Sequence, residues 1–243
     1  PTSSSNYTIH EPIYIDETNP DHDWDNVPGI TGLGTKEDPF LINNFEIYGQ
    51  NTNNCIELYH ITKYLNITNC FLYNSLQWNS YTKKCIDIYN CTNIGISKNF
   101  IRGGERSVMI RQGNNITVWN NTIKLSYGEL LYMQDCYNSS VFQNWLMDSQ
   151  GNGLHLTFLY YSSVFENVIT QNGEYGLIIE DSYTDNITNN FIVNNHQPKD
   201  KYDWDSDVGI GIYMRYAQKI EIKENILINN SIQVRQPSSQ SSI

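Results

Sequence analysis

The chain has 243 residues, 39% of them hydrophobic, and a mean hydropathy of −0.50, which allows one elongated domain but no run near the ~18 apolar residues of a membrane span. Its formal charge of −11, from 26 acidic and 15 scattered basic residues, excludes nucleic acid and anionic membrane as partners. No Cys/His spacing is of the zinc-binding kind.

Residues 1–38 read as an extension and cap, 39–232 as a repeat domain and 233–243 as a tail. The start, Pro1-Thr-Ser-Ser-Ser, has no charged or apolar leader and reads as a mature or trimmed end. Residues 7–38, rich in Pro and Asp, are expected as a lid over an open strand edge.

The repeat domain keeps a fixed beat. Ser107-Val-Met, Leu130-Leu-Tyr, Gly153-Leu-His and Gly176-Leu-Ile start at 107, 130, 153 and 176, each 23 residues after the last. Cys55-Ile-Glu, Cys85-Ile-Asp and Gly211-Ile-Tyr keep the pattern at other spacings. The first stretch of each unit alternates, as in Val108/Ile110, Leu131/Met133, Leu154/Leu156 and Leu177/Ile179, and period two means strand. A second register repeats at Asn44, Asn99, Asn121, Asn144, Asn167, Asn190 and Asn225, with Cys70 standing in once. Three residues before it come Ile67, Ile96, Val118, Val141, Val164, Ile187 and Ile222, and two after it Leu72, Ile101, Ile123, Leu146, Ile169, Ile192 and Leu227. So short a unit has no room for a helical crossover. The economical solution is an all-β coil in which every turn pairs in parallel with the next, about 4.8 Å away. The asparagines are expected at a tight bend, as structural residues bonding coil to coil.

The units Asn186-Ile-Thr-Asn-Asn-Phe-Ile-Val-Asn-Asn and Gly176-Leu-Ile-Ile resemble the repeats of right-handed parallel β-helix proteins. That group holds pectate lyases, carbohydrate-binding and sugar-hydrolase repeat domains and a periplasmic copper-processing family. Pro12-Ile-Tyr-Ile-Asp and Gly32-Leu-Gly-Thr-Lys-Glu-Asp-Pro-Phe-Leu-Ile resemble the first coil of archaeal surface-type members. The resemblance implies a single-stranded solenoid of about eight coils, a scaffold that hosts lyases, hydrolases, epimerases and binding proteins alike.

Outward residues of the first strand form two columns: Glu57, Asp87, Met109, Tyr132, His155, Ile178, Tyr213, and Tyr59, Tyr89, Arg111, Gln134, Thr157, Glu180, Arg215. Tyr132, His155, Arg111 and Glu180 are the catalytic candidates, since β-elimination from a uronate needs a base and a cation. Two lengthened coils, at 74–84 and 194–210, leave the same edge and flank a floor of short turns. Trp78, Tyr81, Tyr202 and Trp204 on those loops, with Tyr127 and Tyr175 on the floor, suit sugar rings. Glu105, Glu129 and Glu174 on the same turns suit an acid/base pair for hydrolysis. Asp203, Asp205 and Asp207 alternate as calcium ligands do, or are solvated loop charge.

Five cysteines cannot all pair internally. Cys55 and Cys85 share a position in adjacent coils, close enough for a disulfide or for two stacked thiols. Glycosylation sequons stand at Asn6, Asn66, Asn90, Asn115, Asn120, Asn138, Asn186 and Asn229, although Asn-Ile-Thr also follows from the repeat. The C-terminal end has no amphipathic helix over it, so a further domain or head-to-tail stacking of subunits is expected to cover it. The expected function is a secreted or cell-surface scaffold that binds a polysaccharide or assembles. The alternative is a polysaccharide-processing enzyme (uronate lyase, epimerase or glycoside hydrolase).

Overall fold

The computed structural model describes residues 7–50, 53–74, 83–183, 185–195, 209–230 and 232–235. Each winding lays down three short strands in fixed order. Arg106–Arg111, Leu131–Tyr137 and Leu154–Tyr160 are successive first strands; Asn114–Trp119, Ser140–Phe142 and Ser163–Phe165 are second strands; Thr122–Lys124, Trp145–Met147 and Val168–Thr170 are third strands. Every named strand pairs in parallel with its counterpart one coil away, as Leu131 does with Leu154 and Val141 with Val164. Third strands form a 9-stranded sheet, while first and second strands merge into a 17-stranded one. This is a right-handed parallel β-helix, and its interior is the set of aliphatic columns that the alternation placed inward. Ile67, Ile96, Val118, Val141, Val164 and Ile187 are 1% exposed or less, and Leu72, Ile101, Ile123, Leu146, Ile169 and Ile192 are fully buried.

The residues expected as a lid divide in two. Thr8–His10 and Ile13–Asp16 are already strands of the rod, paired with 45–47 and 56–59. Residues after Asp16 leave the strand pattern in two short 3-10 turns, Pro20–His22 and Trp24–Asn26, and Val27 and Ile30 pack against the core. Trp24 anchors this segment: it is 5% exposed, stacks on Phe40 at 4.1 Å and donates Nε1–H to Glu17 Oε1 at 2.9 Å.

The asparagine column forms a hydrogen-bonded ladder. The backbone N–H groups of Asn99, Asn121, Asn144 and Asn167 each donate to the Oδ1 of the next asparagine at 3.0 Å. The bend itself falls one residue earlier. Asn44, Asn69, Lys98, Asn120, Gln143, Glu166, Asn189 and Glu224 carry the positive φ, between 50° and 59°. Asn44 thus belongs to the bend column, and Phe45, next to Cys70, holds the ladder position in its coil. A second ladder that the sequence pattern did not reveal runs Ser149, Asn172, Asn195, Asn230.

A third ladder takes Ser139 and Ser162 to Asp185, whose Oδ1 accepts from the Ser162 N–H at 2.8 Å. Asp185 is 1% exposed, and its Oδ2 has no partner. Burial, only partly offset by that hydrogen bond, lifts the carboxyl from 3.8 to about 6. The folded chain therefore holds the proton more tightly than the unfolded chain. Stability from this group is full below 3.8 and falls as pH rises through about 6. Asp185→Asn keeps the acceptor and removes the charge, so it is expected to flatten that slope and stabilise the rod at neutral pH by about 1–2 kcal/mol. Denaturant unfolding on both sides of the window checks it; an unchanged slope would assign the titration elsewhere.

All five cysteines are buried free thiols, and Cys55 and Cys85 do not form the disulfide that their stacking allows. Each thiol donates to a backbone carbonyl: Cys55 to Tyr73 O and Cys85 to Arg102 O, both at 3.3 Å. Burial also pushes the thiols away from thiolate, Cys70 to about 11 and Cys91 and Cys136 to about 12.

Candidate functional site

The two outward columns of the first strand exist in the expected register, Glu57 through Tyr213 and Tyr59 through Arg215. Alternation turns these side chains away from the aliphatic interior, and pairing coil on coil sets polar groups side by side. Tyr132, His155 and Glu180 come together: the Tyr132 and His155 rings lie 5.0 Å apart, and His155 Nε2 is 3.4 Å from Glu180 Oε2. Arg111 is held elsewhere, by Asp87 Oδ1 at 3.2 Å and over the Tyr89 ring at 5.3 Å. Its place is taken by Arg215, the last member of its own column, and by Arg106, which periodicity did not single out. Arg106 donates to Glu129 Oε2 at 2.7 Å and lies over the Tyr132 ring at 4.6 Å, and Arg215 pairs with Glu180 at 2.9 Å. The signal missed was position: Arg106 and Glu129 face each other from adjacent coils just where the turn enters the strand.

Glu129 links this cluster to the turns. Burial alone would raise its carboxyl, but the hydrogen bond with His155 and the Arg106 guanidinium hold it down at about 2. Burial raises the Tyr132 phenol, so at neutral pH it stands as a hydrogen-bonding hydroxyl, with Gln134 Oε1 at 3.2 Å, and not as a ready base.

The floor of short turns forms an open cleft of about 350 Å³. Glu105, Gly128, Gly151 and Glu174 stack in one column there. A Cβ on Gly151 would sit 3.0 Å from Gly128 backbone, so glycine lets the two turns stack this closely, and both line the cleft with Glu105 and Glu174 at either end. Tyr127, Glu129, Gln150 and Asn152 form its sides. Burial, and then the charge of Glu129, raise the Glu174 carboxyl above its ordinary range. Beyond the trough the Tyr175 ring lies 5.4 Å from Tyr213. Trp78, Tyr81, Tyr202 and Trp204, and the calcium candidates Asp203, Asp205 and Asp207, lie outside the described residues. Asn6 does too; Asn90, Asn115, Asn120, Asn138, Asn186 and Asn229 are exposed, and Asn66 is half-buried.

Together these features define a parallel β-helix with a polar, aromatic face running into an acidic trough. The chain belongs to the family described as periplasmic copper-binding protein (NosD), whose model matches residues 42–242. None of the curated proteins matches it. Solved structures do. The enzymatically active domain of tailspike protein 2 of bacteriophage CBA120 is 11% identical at a TM-score of 0.60, over 96% of this chain and 41% of that one. The mannuronan C-5 epimerase AlgE4 A-module of Azotobacter vinelandii is 10% identical at 0.60, over 80% and 61%. The DFA-IIIase of Arthrobacter chlorophenolicus A6 is 14% identical at 0.52, over 82% and 58%. The chain thus spans less than two thirds of each, and the likeness is one of fold.

The family's description brings copper with it, and the described residues do not fit that ion. Among them no three of His, Cys, Asp or Glu come together to hold a metal. The thiols, which would serve as soft ligands, are buried and tied to backbone carbonyls. No helix among the described residues is long and apolar enough to cross a membrane.

Proposed function

We propose that the chain is a glycan-binding β-solenoid that works outside the cytoplasm and holds a polysaccharide along the first-strand face and the adjoining trough. One observation carries this reading: a glycine-floored trough, lined by tyrosine, amide and carboxylate groups, adjoins through Glu129 a first-strand face where the Tyr132 ring meets His155 edge-on at 5.0 Å and the Tyr175 ring lies tilted 5.4 Å from Tyr213. Sugars bind by this combination, ring faces on aromatic groups and hydroxyls on polar ones. Glu105, Glu129 and Glu174 make the trough acidic, which favours a neutral glycan over a polyuronate. The periplasmic family accords with a place beyond the inner membrane, and the exposed sequons accord with a secreted surface.

A second reading, hydrolysis, has one observation of its own: two carboxylates of one trough are shifted in opposite senses, Glu129 down and Glu174 up. Glu174 would protonate a leaving oxygen, with Glu129 the ionised partner.

A glycan array with wild-type protein and Glu129→Gln tests the first reading. Retention of a neutral polysaccharide is expected, weakened about tenfold or more in the variant. Equal retention by both proteins would remove the trough from the site. Release of reducing ends, abolished in Glu174→Gln, would instead favour the hydrolase; ultraviolet-absorbing unsaturated products would mark a lyase.

A further inference from the structure

We infer a second saccharide site on the second-strand face, one that takes a single neutral sugar ring against Trp119. On this face Trp119, Phe142 and Phe165 stack in register, Trp119 on Phe142 at 13° and Phe142 on Phe165 at 3°. The aromatic ladder stops at Trp119, because the next positions of its column are Ser97 and Thr68. Beside this end the neighbouring column runs Asn66, Gly95, Thr117. Gly95 opens a depression of about 200 Å³, bordered by Tyr64, Asn66, Asn115, Thr117 and Trp119. That is below the ~300–1,000 Å³ of drug-sized pockets and suits one ring.

Its chemistry is that of a sugar subsite. None of the bordering side chains carries a charge. The indole leans back over Gly95: a Cβ there would fall 3.1 Å from the ring and inside contact distance of Asn66 Oδ1. Among the described residues, the side-chain polar groups of Tyr64, Asn66, Thr117 and Trp119 make no hydrogen bond to protein. Elsewhere on the rod the amide ladders are saturated. Here the benzo edge of an indole and an amide oxygen meet over Gly95, and Tyr64 and Thr117 border the same hollow with their hydroxyls unbonded to protein. A neutral pyranose would lay its C–H face on the indole and exchange hydroxyl bonds with Asn66, Thr117 and Tyr64. A uronate would meet no cation. This site lies on a different face from the trough and does not rest on the function proposed there.

Protein labelled with 15N at the indole nitrogens resolves the five tryptophans. Maltohexaose, cellohexaose and chitohexaose are the neutral probes, and an oligogalacturonate is the anionic one. At least one neutral probe is expected to shift the Trp119 indole signal, while the oligogalacturonate does not. Gly95→Val fills the hollow from a backbone that has no left-handed φ, and Thr117→Val removes one hydroxyl at constant shape. Each is expected to weaken the neutral titration about tenfold or more with the melting temperature of Thr117→Val unchanged. Glu129→Gln, in the trough, is expected to leave the Trp119 titration as it was, so failure of one site is separable from failure of the other. No Trp119 response to any neutral probe, or an undiminished one in Thr117→Val and Gly95→Val, overturns the site. An equal response to oligogalacturonate overturns its neutral specificity.

Discussion

Val141→Asp and Val164→Asp are each expected to unfold the rod or to cost on the order of 5 kcal/mol. Both valines sit in the second-strand column, 1% and 0% exposed, paired with each other across adjacent coils. A carboxylate there faces the aliphatic column with no cation or donor in reach, so it must take up a proton or drag water into the axis. Because the coils stack, the damage spreads to both neighbours, as in any quasi-one-dimensional array. Ser163→Asp is the control. It stands one residue before Val164 on the opposite side of the strand, and it is expected to cost under about 1 kcal/mol. Thermal denaturation of the three variants decides the matter. Equal melting temperatures would mean that Val141 and Val164 face water.

Such a contrast follows from what was legible in the chain. Period-two alternation and the 23-residue beat fix which side chains turn inward, because parallel stacking sets like on like, and the register of Tyr132 with His155 and of Gln134 with Thr157 came with it. Where repetition is strict, position in the repeat is position in space. The exceptions are places where one column is offset by a residue. Asn44 looks like a ladder asparagine but occupies the left-handed bend, since both positions favour Asn for different reasons: amide bonding in one, tolerance of positive φ in the other.

Charge pairing across coils was less legible. Arg111 was grouped with His155 from the adjoining column of the same face, yet Asp87, 2% exposed and already bonded to Lys84 at 3.1 Å, captures it. A deeply buried carboxylate competes for cations more strongly than the less buried Glu180, and burial is invisible in a one-dimensional pattern. Arg106 and Glu129 meet for the complementary reason. They enter from turns, where repeats vary in sequence while backbones still stack. The trough was half legible: its glutamates and glycines could be named, but only the folded turns show that they line one open cleft between Glu105 and Glu174.

Removing one rung of the asparagine ladder is the other change with a large expected effect, although it deletes no apolar surface. The Asn167 side chain accepts from the N–H and Nδ2 of Asn144, both at 3.0 Å, and donates to Val141 O, Phe165 O and Asn190 Oδ1 at 2.9, 3.1 and 2.9 Å. Asn167 is fully buried, so Asn167→Ala strands those partners away from water. Each orphaned group costs about 1–3 kcal/mol, and since they share one site the expected total is about 3–5 kcal/mol. The chain itself supplies the graded comparison. At Cys70 the single S–H is shared between Ile42 O and Thr68 O, the carbonyls that the asparagine amide takes in later coils, and the coil before presents Phe45, whose side chain asks for no acceptor and whose backbone N–H faces the sulfur. Asn167→Cys therefore keeps one weak S–H shared between Val141 O and Phe165 O and only weak acceptance from Asn144, and it should fall between wild type and Asn167→Ala. Denaturant unfolding of the three proteins gives the order. If Asn167→Cys is no more stable than Asn167→Ala, donation to the carbonyls contributes nothing, and the stabilising half of the ladder is the amide oxygen alone.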